Sequence, residues 1–525
     1  MSENIRVTKA AGVVGAATLL SRIFGFIRDM VIAGTFGAGL WSDSFFVAFR
    51  IPNLLRRLFA EGSLSIAFVP VFTEYLKNKG KDDAFMMARS AIRLLSVLLV
   101  ITVVGGILLA PLIIRVIAPG FADSPEKFLL TVTLTRIMFP YIIFICLVAL
   151  CMGILNVLGH FAAPALAPVF LNIAMIGSIF LVSFFSLNAT DRVIGLAIGV
   201  LVGGLLQLAL QVPFLIKKSF YFWQKAQIFH PGLKQVGKLM LPAVFGAAVY
   251  QVNILVGTLL ASLLPEGSIS YLYYADRLVQ FPLGIFAIST ATAVLPSLSK
   301  QAAAKDFDAL KETFAFAMKL IFFITIPAMT GLIVLREPIV ALLFQRGSFD
   351  NETTRQTAYA LLCYGVGLWA FSAVRVVVST FYSLQDTKTP VRMAVISIIA
   401  NIGLGIILMG PLGHGGLALS TSLASMLNLG LLVRALRARL GLLGLRNIVN
   451  SVCKTVVCSS IMGIVVWGMA SFIIASESRT LTLLFSGLTG SILAGCILYV
   501  SLSFLIKSPE LETVMGIIRE GVRKR

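Results

Sequence analysis

The chain is a succession of long apolar segments separated by short polar ones. Several segments run for more than 18 residues without a charged side chain, as between Leu94 and Leu112. A helix needs about 20 apolar residues to cross a bilayer, whereas a transmembrane strand alternates apolar and polar positions over about ten residues. The pattern therefore predicts an all-α protein that crosses a membrane many times.

The apolar runs predict fourteen transmembrane helices. They are placed at 9–36, 41–76, 84–114, 129–157, 161–186, 193–216, 236–264, 269–298, 312–335, 355–384, 391–410, 415–433, 448–475 and 480–506. Arg22 and Arg28 interrupt the first run, and no small-residue cleavage site precedes them. We therefore expect an uncleaved helix there rather than a signal peptide.

Composition supports a membrane protein and excludes several other classes. Hydrophobic residues make up 58% of the chain and charged residues 13%, against about 25% charged residues in soluble domains. The six cysteines form no C-x-x-C pair and the three histidines are scattered, so no metal site is predicted. Nucleotide-binding and hydrolase motifs are absent from the sequence, so we predict a transporter rather than an enzyme.

The distribution of the basic residues predicts the topology. If the N-terminus is cytoplasmic, 27 of the 43 lysines and arginines fall on the cytoplasmic side of the predicted helices and 8 on the other side. Positive charge concentrates in cytoplasmic loops of membrane proteins. We therefore expect both termini in the cytoplasm, and we interpret the net charge of +20 as a topology signal rather than as nucleic-acid binding.

The chain contains an internal repeat with an offset of 226 or 227 residues. The matching pairs are Pro70 with Pro296, Pro111 with Pro338, Gly120 with Gly347 and Pro164 with Pro390. Six predicted helices separate the copies, so the copies share an orientation, as in transporters with parallel repeats. Coincidental prolines in similar helices are the alternative. The repeat predicts a six-helix half at 1–216, a cytoplasmic amphipathic linker at 217–235, a second half at 236–440, and helices 13 and 14 with a tail at 441–525.

Ionisable residues inside the predicted helices are the main candidates for function. They are Arg22, Arg28, Asp29, Asp43, Arg50, Arg56, Arg57, Glu61, Asp276, Arg277, Arg375 and Lys454. A basic residue at the centre of a bilayer costs about 2.5–3.5 kcal/mol on insertion scales, so each should face a cavity or a partner. The cations outnumber the acids, and arginine binds phosphate through two parallel hydrogen bonds. The excess positive charge favours an anionic ligand.

A structural role for some of these residues is the alternative. Arg22 and Asp29 are seven residues apart and face the same side of a helix, so they can form a buried neutral pair. Arg57 and Glu61 can pair in the same way at a spacing of four residues. The glycines at 195, 199 and 203 are interpreted as a packing surface for the sixth helix.

Five sequence strings resemble the bacterial MurJ (MviN) lipid II flippases of the multidrug/oligosaccharidyl-lipid/polysaccharide exporter superfamily. The strings are SRIFGFIRD (21–29), WSDSFFVAFRIPNLLRRLFAEGSLSIAFVPVF (41–72), APGF (118–121), YYADRL (273–278) and FYSLQDTKTP (381–390). The resemblance extends over essentially the whole chain. It implies two six-helix bundles that form a V, followed by two further helices.

The resemblance also implies a substrate and the residues that bind it. The substrate is lipid II, an undecaprenyl-diphosphate-linked disaccharide-pentapeptide that moves to the outer leaflet for peptidoglycan synthesis. Arg22, Arg28, Arg56 and Arg277 match the family's essential cavity arginines and are expected to hold the diphosphate. Asp43 matches an important acid and Glu61 a gating position. Further candidates for the cavity or a gate are Asp29, Arg57, Asp276 and Arg375. Helices 13 and 14 resemble the family's helices that form a groove for the prenyl tail.

Two departures from the family bear on the driving force. Gln280 stands where some members have Glu, and the predicted helices at 236–264 and 391–410 contain no Asp or Glu, although some relatives bind sodium with acids from those helices. Sodium coupling is therefore not expected, and no cofactor or metal is predicted. The membrane potential is the expected drive.

Several alternatives remain open at this stage. A flippase for another prenyl-diphosphate-linked saccharide has the same composition, and a cation or drug antiporter of the superfamily would require carboxylates in the cavity. A scaffold for cell-wall enzymes would have no use for buried arginines. The expected partners are lipid II, membrane lipids and cell-wall synthesis enzymes, and the protein is expected to be a monomer.

Overall fold

The computed structural model describes residues 3–58, 64–227, 229–475, 481–512 and 516, and every element in this part of the chain is helical. The first helices are α1 (Glu3–Phe36), α2 (Leu40–Leu55), α3 (Leu64–Asn78), α4 (Lys81–Ile117), α5 (Pro125–Met138), α6 (Tyr141–Val157), α7 (Ala162–Phe185), α8 (Ala189–Lys217) and α9 (Pro231–Ser262). The others are α10 (Ser268–Pro282), α11 (Ile288–Ala303), α12 (Phe307–Val334), α13 (Arg336–Phe344), α14 (Asn351–Gly365), α15 (Leu368–Ser383), α16 (Lys388–Leu440), α17 (Leu445–Ala475) and α18 (Leu481–Leu505).

The long helices have the length and surface of membrane-spanning segments. Among the described residues, nine helical spans are long and apolar enough to cross a membrane, with Pro125–Val157 (α5 and α6) and Ser268–Ala303 (α10 and α11) each counted as one. The pair α14 and α15, bent by 42°, adds a tenth if it also counts as one span. Apolar side chains cover their outer surfaces: Leu108, Phe184 and Ile464 are each at least 70% exposed. Such extensive exposed apolar surface is expected where lipid replaces water. The protein is a multi-pass membrane protein.

Several helices predicted as continuous are broken in the structure. The predicted helix 129–157 is divided into α5 and α6 at Pro140, which lacks the N–H donor and clashes with the preceding turn. The predicted helix 355–384 is divided into α14 and α15, which are bent by 42°, and the predicted helix 41–76 contains a wider π-type turn at residues 56–58. The predicted helices 391–410 and 415–433 are both present within the range of α16, and the non-helical backbone of Gly413 (φ 54°, ψ −135°) separates them with a kink.

The internal repeat is visible in the positions of the helices. α12, α14 and α16 each begin 226 residues after α4, α5 and α7, respectively. The π-type turn that follows α2 at residues 56–58 also has a counterpart at Leu283–Ala287, between α10 and α11. Chance alignment of prolines would not reproduce helix starts and an unusual turn at one offset. The repeat is therefore structural.

The chain forms two compact units, Met1–Ser270 and Tyr271–Arg525. In the first unit α7 packs against α1 and α8, α5 against α2, and α9 against α3 and α4. α9 belongs to the predicted second half at 236–440 for most of its length, and it contacts α3 and α4 of this unit. In the second unit α12 packs against α15 and α17, and α17 against α18.

The glycines of α8 lie where α8 meets α7. A Cβ atom on Gly195, Gly199 or Gly203 would overlap with Val182, Ser178 or Leu171 of α7. Small residues at this spacing let two helices approach closely in a membrane. The interpretation of these glycines as a packing surface is confirmed.

The segment between α8 and α9 is docked onto α4. Phe220 is fully buried with its ring 5.2 Å from that of Phe85, and Arg89 donates from Nε to the Lys225 carbonyl at 2.9 Å. His230 lies 3.3 Å from Asp83 and accepts from the N–H of Gly232 through Nδ1. The predicted linker is therefore a fixed part of the first unit over most of its length, although Trp223 is 70% exposed.

The string FYSLQDTKTP has a structural explanation in the second unit. Asp386 accepts from the backbone N–H groups of Lys388 and Thr389 at 3.1 and 3.0 Å, and from the Arg439 guanidinium at 2.9 Å. The Thr389 N–H and the nearby Arg439 charge hold the pKa of Asp386 below its ordinary value of 3.8 despite partial burial. The carboxylate thus caps the N-terminus of α16 and ties it to the other end of that helix.

Replacing Asp386 by alanine is expected to destabilise the second unit by about 1–2 kcal/mol, because a helix cap and an ion pair are lost together. Since the folded-state pKa is lowered, the stabilisation is complete above the unfolded-state pKa and is lost as the pH falls through the folded-state value. Thermal unfolding of both proteins between pH 7 and pH 3 measures this. If the two proteins differed as much in thermal stability at pH 3 as at pH 7, the role of the ionised Asp386 carboxylate as a helix cap would be contradicted.

Candidate functional site

Arg28 and Asp29, both on α1, form a cluster with Asn172 of α7 in the first unit. Arg28 donates to Asp29 Oδ1 from Nε at 3.0 Å and from Nη2 at 2.7 Å, and to Asn172 Oδ1 from Nη1 at 3.0 Å. Asn172 Nδ2 donates to the Ser21 carbonyl, which directs its oxygen towards Arg28. Asp29 is 2% exposed. The guanidinium is therefore held in one orientation by an acid and an amide.

Arg22 lies on the same helix but in a different environment. Its side chain is exposed, and Asp29, the acid with which it was considered as a neutral pair, binds Arg28 instead. A cation on a membrane helix is stabilised when it faces water, headgroups or an anionic ligand. The position of Arg22 is thus compatible with a role in ligand binding.

Arg56 and Arg57 lie in the π-type turn that follows α2. Arg56 donates to Asn53 Oδ1 from Nε at 3.0 Å and from Nη2 at 2.9 Å, and Arg57 is half-buried. Turns of this type inside helices occur frequently at functional sites. Glu61, the predicted partner of Arg57, lies outside the described residues.

Asp276, Arg277 and Arg375 lie in the second unit. Arg277 is half-buried on α10, donates from Nη2 to the Tyr273 hydroxyl at 2.9 Å, and has its guanidinium carbon 4.8 Å from the centre of that ring. Asp276 Oδ1 lies 3.5 Å from Gln280 Nε2. Arg375, on α15, is exposed. Arg277 is therefore oriented by an aromatic neighbour, and it lies fewer than two helical turns before the second π-type turn, which begins at Leu283.

Asp43 is a buried anchor in the first unit. It is 1% exposed, and Oδ2 accepts from Lys127 Nζ and from the Gly267 N–H, both at 2.8 Å. Oδ1 accepts from the Ser270 N–H at 3.0 Å and from the Ser270 hydroxyl at 2.6 Å. The two backbone donors belong to the start of α10, where unpaired N–H groups favour an anion. Any contact of Asp43 with a substrate would require some of these bonds to break.

The two units each carry arginines with fixed orientations, and this determines the chemistry that they can support. Planar guanidinium groups bind phosphate oxygens in pairs and keep their charge at any physiological pH. Within the part of the chain that the structure describes, three or more His, Cys, Asp or Glu side chains do not cluster as metal ligands. The arrangement favours recognition of an anion by arginine.

The partners of these charged residues are distant in sequence or are backbone groups, which residue patterns do not reveal. Lys127 precedes the predicted helix 129–157, in a predicted loop, but it is 6% exposed and forms an ion pair with Asp43. Asn172 is a single amide in an apolar helix, 144 residues from Arg28. The position of Asn172 as a polar residue in an apolar run could have marked it as a partner. Nothing in the sequence identifies the backbone donors of Gly267 and Ser270.

Comparison with known proteins gives a consistent result. A family model described as lipid II flippase MurJ matches residues 32–485. The probable lipid II flippase MurJ of Vibrio cholerae is 43% identical over 442 residues, which cover 82% of this chain and 83% of that protein. The lipid II flippase MurJ of Burkholderia cenocepacia is 38% identical over 430 residues, or 81% and 83% of the two chains.

Solved structures agree. A lipid II flippase MurJ in an inward closed conformation superposes with a TM-score of 0.78 at 30% identity, over 94% of this chain and 98% of that one. An inward-facing multidrug transporter of the MATE family shares the fold alone, with a TM-score of 0.66 at 16% identity over 83% of this chain and 99% of that one. The chain therefore belongs to the lipid II flippase MurJ family.

Proposed function

We propose that this protein moves lipid II from the inner to the outer leaflet of the bacterial cytoplasmic membrane. The family match over residues 32–485 is the observation that carries the proposal. The cation excess adds to it, because lipid II presents a diphosphate and arginine is the preferred residue for binding phosphate. A transporter rather than an enzyme is proposed, acting as a monomer.

In this proposal the diphosphate binds to Arg22, Arg28, Arg56 and Arg277, while the prenyl tail stays in lipid near α17 and α18. Arg57, Asp276 and Arg375 line the pathway or a gate. Asp29 acts by orienting Arg28, which it contacts at 2.7 Å. Asp43 contributes by fixing α2 to residues 267–270, and its contact with substrate would follow release of that anchor.

The transport cycle is proposed to be alternating access by fourteen transmembrane helices with both termini in the cytoplasm. The halves related by the repeat would rock about a site between inward-open and outward-open states, as in other transporters with internal repeats. The substrate's headgroup would thereby change sides without a continuous pore.

The membrane potential is proposed as the driving force. Each elementary charge that crosses 100 mV gains about 2.3 kcal/mol, so a diphosphate with roughly two negative charges would gain about 4–5 kcal/mol on moving outward. This would shift the distribution between leaflets on the order of a thousandfold. Helix α9 and residues 391–410 contain no Asp or Glu, so sodium coupling is not part of the proposal.

Replacing external and internal sodium by potassium is therefore expected to leave lipid II export unchanged, whereas collapse of the membrane potential should reduce it strongly. Export is measured in cells that depend on this protein, with the potential monitored by a voltage-sensitive dye. Loss of export on removal of sodium at a constant potential would refute this part of the proposal.

Depletion of the protein tests the identity of the substrate. The proposal predicts that lipid-linked peptidoglycan precursor accumulates in depleted cells, because synthesis on the inner leaflet continues while export stops. Quantification of prenyl-diphosphate-linked saccharides by mass spectrometry measures it. Accumulation of a different prenyl-linked saccharide would favour the alternative flippase, and accumulation of none would favour a cation or drug antiporter.

A further inference from the structure

A cavity of about 340 Å³ lies in the second unit, apart from the arginines discussed above. The start of α12, the turn between α16 and α17, and the segment after α18 form its walls. Its volume is at the lower end of the range of about 300–1,000 Å³ typical of small-molecule sites. The predicted topology places all three walls at the cytoplasmic ends of their helices, which is the level of the lipid headgroups.

Glu510 supplies a buried negative charge to this cavity. It is 6% exposed, and its two carboxylate oxygens accept from the Ser451 hydroxyl at 2.7 Å and from the Ser508 hydroxyl at 2.6 Å. Burial raises the pKa of Glu510, but these hydrogen bonds and the nearby Lys319 charge outweigh it, so the pKa lies below its ordinary value. An ionised carboxylate accepts about four hydrogen bonds, so it has capacity for a further donor.

Two lysines of α12 supply positive charge to the same cavity. Lys319 is half-buried, and Lys311 lies 3.1 Å from Asp308. With Glu312 and Glu510, the lining carries two positive and two negative side chains. A cavity whose lining carries both signs of charge and no net charge is complementary to a zwitterion rather than to a simple anion.

Apart from Asn447, the remaining lining of the cavity is apolar. It includes Phe316, which is 41% exposed, and Leu443, which is buried. Leu442, in the turn that contributes Leu443 to the cavity, and Leu505, at the end of α18, are 76% and 74% exposed. A ligand with a zwitterionic head and hydrocarbon chains would fit both regions.

We propose that this cavity binds the headgroup of a zwitterionic phospholipid that carries a primary ammonium group, with the ammonium on Glu510 and the phosphate on Lys319 and Lys311. The site does not depend on the proposed transport of lipid II, and it would bind a structural or regulatory lipid. A primary ammonium donates hydrogen bonds to a carboxylate, whereas a trimethylated ammonium cannot.

Lipid binding to the purified, delipidated protein tests this site. Dioleoyl-phosphatidylethanolamine, dioleoyl-phosphatidylcholine and dioleoyl-phosphatidylglycerol are each titrated, and bound lipid is counted by native mass spectrometry. We expect phosphatidylethanolamine to bind about tenfold more tightly than the other two, the effect of one charge-assisted hydrogen bond or ion pair. Equal binding of the three lipids would overturn the proposal.

Variants assign the effect to the cavity. Glu510→Gln keeps the shape of the side chain, so it should remove the preference for phosphatidylethanolamine over phosphatidylcholine. Lys319→Gln should weaken the binding of both lipids. Lys234→Gln removes an exposed lysine of α9 and should change the binding of neither lipid. Retention of the full preference in Glu510→Gln would contradict the site.

Two further arms separate ligand binding from a purely structural role of Glu510. Ser451→Ala removes one hydrogen bond of Glu510 but keeps its charge, so the lipid preference should persist. If Ser451→Ala also abolished the lipid preference, as expected for Glu510→Gln, the role of Glu510 would be purely structural. Soluble glycerophosphoethanolamine tests the source of the headgroup. If glycerophosphoethanolamine competes only at a much higher concentration than the lipid, the site binds a membrane lipid. Competition at equal concentration would overturn the assignment to a lipid.

Discussion

Replacing Arg28 by alanine is expected to abolish lipid II export at a normal level of inserted protein. The substitution removes a guanidinium that Asp29 and Asn172 hold in one orientation. Each hydrogen bond to a charged group contributes about 1.5–3 kcal/mol, so transport should fall to about a tenth or less. Arg28→Lys should also fail, because an ammonium keeps the charge but cannot reproduce the planar fork. Complementation of a depletion strain measures both variants.

The unpaired acid that Arg28→Ala leaves behind needs its own control. Asp29 is 2% exposed, and an uncompensated buried charge is itself destabilising. The double variant Arg28→Ala with Asp29→Asn removes that charge, and we expect it to restore stability without restoring export. Arg355→Ala, which removes an exposed arginine paired only with Glu352 among the contacts described, should export normally. Recovery of export in the double variant would reduce Arg28 to a structural residue.

Replacing Asp43 by alanine is expected to have the largest effect on stability. Lys127 would be left buried without its acid, and the donors of Gly267 and Ser270 would lose their acceptor. Removing one partner of a buried ion pair costs about 3–5 kcal/mol. The thermal unfolding temperature of the purified protein should therefore fall well below that of the wild type.

A double-mutant cycle separates the ion pair from the other bonds of Asp43. Lys127→Met combined with Asp43→Asn should recover part of the loss, since no uncompensated charge remains, and coupling of about 0.5–3 kcal/mol is typical of residues in direct contact. Asp191→Ala, at an exposed acid in the first turn of α8, is the matched control. Equal effects of Asp43→Ala and Asp191→Ala would contradict the role of Asp43 as an anchor.

The sequence predicts the helical architecture well because its signals are local. Apolar runs of bilayer length and the prolines of the repeat identify most helices, and helix starts 226 residues apart confirm the repeat. The breaks are harder to predict. Pro140 is a recognisable one, but the π-type turns at 56–58 and Leu283–Ala287 lie in sequences that read as continuous helix.

The candidate site is predicted in its residue types but not in its partners. Arginines in apolar segments are conspicuous because each is costly in a membrane. Their partners depend on tertiary packing: Lys127 reaches Asp43 across 84 residues and Asn172 reaches Arg28 across 144. Asp43, Arg50 and Arg57 recur every seven residues, a spacing that places them on one face of a helix, but the spacing does not reveal that Asp43 is bound to Lys127 and to the start of α10.

The most direct test of the central claim measures lipid II in the outer leaflet of cells depleted of this protein and complemented with wild type, Arg28→Ala or Arg355→Ala. The proposal predicts that the accessibility of lipid II to an external probe falls on depletion and returns with wild type and Arg355→Ala, but not with Arg28→Ala. Unchanged accessibility on depletion, in cells without another flippase, would contradict it and favour a different lipid-linked anion or a scaffold role.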